Sequence, residues 1–222
     1  ASAVGYYTIQ KYTFKDDFTW EEINGSGAGS GTYEETSSQS HPSFNFGSLA
    51  FPLTAGDRNV VIAAAYQRLI DLYDLYEDTT VSIEYKGGVD VISPGAAIQI
   101  TPELAIGAAF NIWTGGMDYE QDYKGSDFND IKIDNLSKFS GFNINVGVLG
   151  SFQQFKVGAV VKTPLTLTEK YKPDSIEYEY KYKFPMTFGF GLSFQPNDNL
   201  TLAADVDIRP YSNTDFEDVD ND

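Results

Sequence analysis

The sequence predicts an all-β fold, an antiparallel up-and-down transmembrane β-barrel, and three observations predict it. Apolar residues recur with a period of two through most of the chain. Short and long connections between the alternating segments follow one another in turn. The net charge collects in the long connections.

The alternation is taken first, because successive side chains of a strand point to opposite faces. A strand is plausible near 3–20, and segments at about 43–53 and 59–70 are strand-like but less cleanly alternating. The stretch 95–101 is similar, and Leu104, Ile106, Ala108, Phe110 and Ile112 then share one parity against Ala105, Gly107, Ala109, Asn111 and Trp113. Phe142, Ile144, Val146 and Val148 alternate with Asn143, Asn145, Gly147 and Leu149. Phe155, Val157, Ala159 and Val161 alternate with Lys156, Gly158, Val160 and Lys162. Met186 to Phe194 places Met, Phe and Leu on one parity and Thr, Gly and Ser on the other. Leu200, Leu202, Ala204, Val206 and Ile208 face away from Thr201, Ala203, Asp205, Asp207 and Arg209. That gives about nine strands with one apolar and one small-or-polar face.

Four connections are short, at 54–58, 102–103, 153–154 and 196–199, and four are long, at about 21–42, 71–94, 118–140 and 164–184. A meander with tight turns at one end and long loops at the other produces this order. A soluble β-sandwich also alternates, but it does not need short turns at one end only. The non-apolar parity is glycine-, alanine- and asparagine-rich, which suits a narrow interior. Trp113, Tyr119, Tyr182 and Tyr211 lie near the ends of apolar stretches, where an aromatic girdle sits.

The charge follows the same division. The 222 residues carry 32 acidic against 15 basic side chains, a net charge of −17. The four long connections and the tail 211–222 hold 25 of the acids and 8 of the bases, so they account for the whole surplus. So acidic a chain lacks the clustered bases that a nucleic-acid surface requires. Without cysteine it has no disulfide framework, no thiolate metal site and no thiol nucleophile. Its longest apolar run, about Val60 to Tyr66, falls far short of a membrane helix of roughly 18 residues, which leaves membrane strands open.

Residues 155–164 read Phe-Lys-Val-Gly-Ala-Val-Val-Lys-Thr-Pro, and 184–205 run from Phe-Pro-Met-Thr-Phe-Gly-Phe-Gly through Gln-Pro-Asn-Asp-Asn to Leu-Thr-Leu-Ala-Ala-Asp. Ser93-Pro94 precedes an Ile-Thr-Pro-Glu-Leu-Ala-Ile-Gly hairpin at 100–107. This pattern resembles the outer-membrane hydrophobic-compound transporters related to the long-chain fatty-acid channel of Gram-negative bacteria. The resemblance implies a fourteen-stranded monomeric barrel in the bacterial outer membrane, with an N-terminal hatch and passive uptake of hydrophobic molecules such as fatty acids. Residues 1–222 then form a single barrel domain that is an internal portion, without the hatch and the last strands. Expected partners are the hydrophobic substrate, the lipid bilayer and lipopolysaccharide; no nucleic acid, cofactor or enzymatic activity is expected. The alternative is a non-transporting barrel subunit of an outer-membrane secretion or surface assembly.

The candidate substrate-binding residues are those whose parity faces the lumen: Trp113, Asn143, Asn145, Leu149, Lys156, Lys162, Asp205, Asp207 and Arg209. A lysine or arginine there could meet a carboxylate, or these charges could pair with one another across the interior. His41 and Ser43, two apart on one strand face, form a possible base–nucleophile pair for a lipid-modifying enzyme, the third reading. Pro42 between them favours a histidine entering a strand from a loop. Asp127, Asp130 and Asp134, like the tail Asp218–Asp222, resemble calcium ligands in composition but lack EF-hand spacing, and read as solvated acidic loops. Pro94, Pro164 and Pro185 mark strand ends or a break in the wall. Gly25 to Gly31 is a flexible loop rather than a phosphate cradle.

Overall fold

The computed structural model describes the backbone of residues 2–21, 28–77, 80–124 and 129–219, with side chains from His41 onward. The chain divides into two compact units, Gly5–Phe44 and Ala1–Val4 with Asn45–Asp222. In order, the strands are β1 (Ser2–Glu21), β2 (Ala28–Ala55), β3 (Arg58–Asp71), β4 (Asp74–Glu77), β5 (Val81–Thr101), β6 (Leu104–Tyr123) and β7 (Ile131–Phe152). They continue with β8 (Phe155–Lys162), β9 (Leu165–Tyr171), β10 (Tyr178–Phe184), β11 (Thr187–Asn197), β12 (Leu200–Ile208) and β13 (Asp215–Asp218). One 3-10 turn, Tyr211–Asn213, joins the last two.

The fold is all-β, antiparallel and up-and-down, as the alternation predicts. The main path of the sheet runs β1-β2-β3-β5-β6-β7-β8-β11-β12, nine strands, with β4, β9, β10 and β13 attached beside it. The short turns are two-residue hairpins, closed by the pairs Ala55–Arg58, Thr101–Leu104, Phe152–Phe155 and Asn197–Leu200. Gly56 and Gln153 take the positive φ such tight turns require.

The long connections are corrected. Most of 71–94, 118–140 and 164–184 is strand: β5 runs on from Thr101 back to Val81, β6 on to Tyr123, and β7 starts at Ile131. These parts carry charged and aromatic residues in place of an apolar parity, so the pattern that marks a strand fades while the backbone ladder continues. Cross-strand contacts replace it: Tyr85 packs on Tyr119 with ring centroids 5.2 Å apart. Lys86 bridges Glu84 at 2.7 Å and Glu120 at 3.5 Å. The surplus acids of this region therefore lie largely on strand extensions and not on loops.

The two faces of the main path are inverted relative to a water-soluble sheet. Phe142 is 65% exposed, while its neighbour Asn143 on the other face is 7% exposed. The same holds along β11, where Phe190 is exposed and Gly189 buried, while both faces of β12, at the end of the path, are exposed. Apolar residues thus cover the open face, and small or polar residues the enclosed one.

Beyond this band the arrangement reverses, and backbone breaks help to cause it. Thr163-Pro164 separates β8 from β9, and Pro185-Met186 separates β10 from β11. The breaks lie side by side, because Lys162 pairs with Thr187 below them and Leu165 with Phe184 above. Proline cannot donate to the ladder, so each break suits its position. Against β7 the chain slips by one residue at the break, since Asn145 pairs with Lys162 but Ser140 with Thr168, and a one-residue shift flips every side chain to the other face. Odd positions of β8 (Phe155, Val157) are exposed, whereas odd positions of β9 (Leu165, Leu167) are buried. In β10, Lys181 and Lys183 occupy the face that pairs with Glu217 and Asp215, and Tyr180 and Tyr182 the face that packs on Phe216.

Candidate functional site on the enclosed face

The enclosed face of β5, β6 and β7 carries a hydrogen-bonded row of side chains. Ser93 Oγ donates to Asn111 Oδ1 at 2.7 Å, and Asn111 Nδ2 donates to Asn143 Oδ1 at 3.1 Å. Trp113 Nε1 donates to the same Asn143 oxygen at 2.9 Å. Asn143 Nδ2 reaches the Thr163 carbonyl at 3.4 Å, and Thr163 Oγ1 accepts the Ile144 N–H at 3.0 Å. The row runs from β5 to the break after β8 and satisfies polar groups the break frees. A buried network of this kind holds strand register when every member is paired. Asn145, two residues along the same face, differs: its buried Oδ1 has no hydrogen-bond partner.

The charged candidates form a second group. Arg209 Nη2 donates to Asp207 Oδ2 at 2.9 Å, and Lys162 Nζ lies 4.0 Å from Asp207 Oδ1. Asp205 and Asp207 border a hollow of about 290 Å³ floored by Gly158, Gly189 and Gly191. Lys156 stands apart, in register with Ser151 and Ser193. Leu149 lines a separate hollow of about 210 Å³ at the short-turn end, with Asn59, Gln99 and Ser151. The nine sequence candidates therefore separate into a polar row with Trp113 and Asn143, a charged group around Asp207, and the isolated positions Asn145, Leu149 and Lys156.

His41 and Ser43 lie within β2, not at a loop-to-strand entry. Ser43 is buried and its Oγ has no hydrogen-bond partner, so the base–nucleophile bond of a hydrolase is not formed. Among the described residues, no three His, Cys, Asp or Glu side chains are grouped to hold a metal ion. Asp130 accepts the Tyr123 N–H at 3.0 Å, and Asp134 lies 3.9 Å from Lys132. Asp127 and the end of the tail, with Gly25 to Gly27, lie outside the described residues.

Two clusters were not legible in the sequence. Arg68 donates to both oxygens of Asp90, at 2.9 and 3.3 Å, and Tyr66 OH donates to Asp90 Oδ1 at 2.7 Å. Tyr66 and Arg68 share a strand face by their i, i+2 spacing, but Asp90 falls in a stretch that reads as a connection. In the second cluster Ser137 Oγ donates to Glu169 Oε1 at 2.7 Å, and Tyr182 OH to Glu169 Oε2 at 2.9 Å. Tyr182 instead reads from sequence as a girdle residue.

Burial, with the Glu169 carboxylate beside it, pushes the Tyr182 phenol from 10.0 up to about 12. A folded-state pKa above the unfolded one stabilises the protein below the unfolded value, and that contribution is lost as pH rises through the folded one. The extension is therefore expected to lose stability between pH 10 and about 12. In an alkaline titration followed by tyrosinate absorbance, Tyr182→Phe should remove one late-ionising phenol and flatten this loss. An unchanged profile would contradict the assignment.

A family model described as F plasmid transfer operon, TraF, protein matches residues 95–207. No curated protein and no solved structure matches the chain. The family match overturns the resemblance to the hydrophobic-compound transporters, and with it the fatty-acid channel, lipid transport, fatty-acid partners and the implied hatch. The motifs behind that resemblance have a general physical origin: glycine where strands crowd an enclosed face, proline at ladder breaks and turns, and alternation along each strand. The matched residues span the last third of β5 through β12, both proline breaks included, and cover just over half of the sequence. On that coverage the chain belongs to the F plasmid transfer operon TraF family.

Proposed function

We propose that the chain is a non-enzymatic, non-transporting barrel subunit of a plasmid-transfer assembly in the bacterial outer membrane. The observation that carries the membrane part is the inverted polarity of the sheet, with apolar side chains on its open face and Asn111, Asn143 and Gly189 on its enclosed one. In water that arrangement wastes the hydrophobic effect; against lipid it satisfies both faces. Strands that span a bilayer need about 9–11 residues, and β8, β11 and β12 have 8, 11 and 9. Family membership supports the assembly part, since the family takes its name from a transfer operon. The polar-faced extensions beyond the breaks offer the surface for protein partners.

Deleting the gene from donor cells tests the function. Plasmid transfer should fall sharply while growth on fatty acids is unchanged, and gentle extraction of outer membranes should recover the protein in a larger complex. Normal transfer together with a monomeric extract would contradict the reading.

A further inference from the structure

The open face of the extension carries a basic patch, although the chain has a net charge of −17. On β7 the even residues from Val148 back to Phe142 are apolar, and the ladder to β6 continues unshifted from Phe142 through Ser140 to Lys138. Ser140 and Lys138 therefore lie on the same side as the apolar band, just past its end. Lys138 pairs directly with Lys170 of β9, and its neighbour on the other side, Gly116 of β6, has no side chain to offer. Lys172 follows on the same strand line, its N–H donating to the Leu136 carbonyl at 2.7 Å. All three lysines are exposed. Lys138 and Lys172 make no ion pair among the described residues, whereas Lys170 lies 2.8 Å from Glu177. Glu177 answers all three: the hydrogen bond from Lys170 holds it below the usual carboxylate range, and the charges of Lys172 and Lys138 add to this. Like charges directly opposite one another on neighbouring strands are destabilising. Three lysines around one carboxylate leave a positive surplus that a bound anion offsets.

We propose that Lys138, Lys170 and Lys172 bind the phosphate groups of lipopolysaccharide at the outer surface of the membrane. The proposal rests on the barrel reading above. Tight hairpins mark the periplasmic end of such a barrel, so the extension lies at the opposite end, beside the outer leaflet. From Phe142 to Lys138 the strand advances about 13 Å, or about 9 Å along the membrane normal at a 45° tilt. The headgroup layer reaches about 5–7 Å beyond the hydrocarbon, and a lysine stem snorkels across the difference. Ser140 and Thr168, opposite each other between the band and the lysines, supply hydroxyl donors to the same phosphates. Continuity with the lipid-facing side favours a lipid phosphate over an acidic protein segment.

Purified protein in neutral detergent, titrated with diphosphorylated lipid A and followed by native mass spectrometry, tests this. It should bind that lipid more tightly than the same lipid stripped of its phosphates, by about tenfold or more. Lys138→Gln with Lys172→Gln should weaken binding by about fivefold per lysine. Neither lysine holds an ion pair, so the double variant should melt no lower than the wild type in lipid-free micelles, which separates binding from a structural role. Lys86→Gln removes an exposed lysine held by Glu84 and Glu120, and should leave lipid binding unchanged. Equal affinity for the two lipids, or unchanged binding by the double variant, would overturn the proposal. So would displacement of the lipid by inorganic phosphate, which marks a site for the free anion, or tighter binding of polyglutamate, which marks an acidic protein partner. None of these results touches the alternation of the two faces. Failure to insert into lipid vesicles would instead overturn the barrel reading, and this site with it.

Discussion

Alanine at Gly87 or Gly115 is expected to unfold the extended hairpin of β5 and β6, the largest effect of any single replacement in the chain. Both glycines have φ in the left-handed half of the map, +141° and +138°. They face each other diagonally across the ladder, next to Gly116 and Gly88. A Cβ on Gly87 would overlap the Gly116 carbonyl oxygen, and one on Gly115 would overlap that of Gly88. The clashing atoms are backbone, which cannot swing aside as a side chain can. A loss above roughly 3 kcal/mol is expected, in the range reserved for buried clashes and forced backbone conformations. Two controls bound the effect. Gly56 has positive φ but open space around it, so Gly56→Ala should cost only about 1 kcal/mol, the usual penalty for a left-handed alanine. Gly158 would meet nothing closer than 3.8 Å, so Gly158→Ala should be nearly neutral. Urea unfolding from micelles, followed by the heat-sensitive gel migration of folded barrels, orders the three. Similar midpoints for all three would refute the close-approach argument.

The second large effect is expected at Asn143. Its side chain serves Asn111, Trp113 and Thr163 at once. Asn143→Ala leaves two donors and a carbonyl without partners on a buried face, each costing about 1–3 kcal/mol when unsatisfied. Relaxation and water entry reduce the sum, so a loss of about 2–4 kcal/mol is expected. Trp113 fluorescence should shift to the red as its indole N–H turns to water. Asn145→Ala is the matched control, because the buried oxygen it removes has no partner. That variant should be neutral or slightly more stable. If both asparagines proved equally dispensable, the row would not hold the register.

The contrast between these two asparagines shows what the sequence could and could not reveal. Both lie on the non-apolar parity, and alternation alone places them on the enclosed face. Nothing local distinguishes the one that joins the row across β5, β6 and β7 from the one left unpaired, because Ser93, Asn111 and Thr163 come from other parts of the chain. The main path of the sheet was legible for the complementary reason. Phe142 to Val148 or Leu200 to Ile208 declare an apolar face within a single strand. The extensions were not, since a strand without an apolar parity looks like a connection. In 178–184 alternation is present, Tyr against Lys and Glu, yet its apolar side faces inward. The parity change across the breaks becomes visible only once the strands are paired, where β9 meets β7 one residue out of step with β8. The family, in turn, was obscured because glycines, prolines and alternation recur in every meander of this architecture.

The charge gains its meaning from the same geometry. Lys170 meets Glu177 at 2.8 Å beside the turn between β9 and β10, and Lys183 meets Glu217 at 2.5 Å between β10 and β13, all four side chains open to solvent in part. These pairs hold Glu177 and Glu217 below the usual carboxylate range through hydrogen bonds from the lysines. Exposed pairs of this kind contribute little stability, so their value lies in keeping the extension water-facing.

The central claim is that the apolar parity faces lipid and the small-residue parity does not. Single tryptophans placed one at a time along 142–148, with the native tryptophans replaced by phenylalanine, test it most directly in vesicles of brominated lipid. Quenching should alternate: strong at Phe142, Ile144, Val146 and Val148, weak at Asn143, Asn145 and Gly147. Uniformly weak quenching along the segment would mean that the open face meets water or protein, and the membrane-barrel account would be wrong.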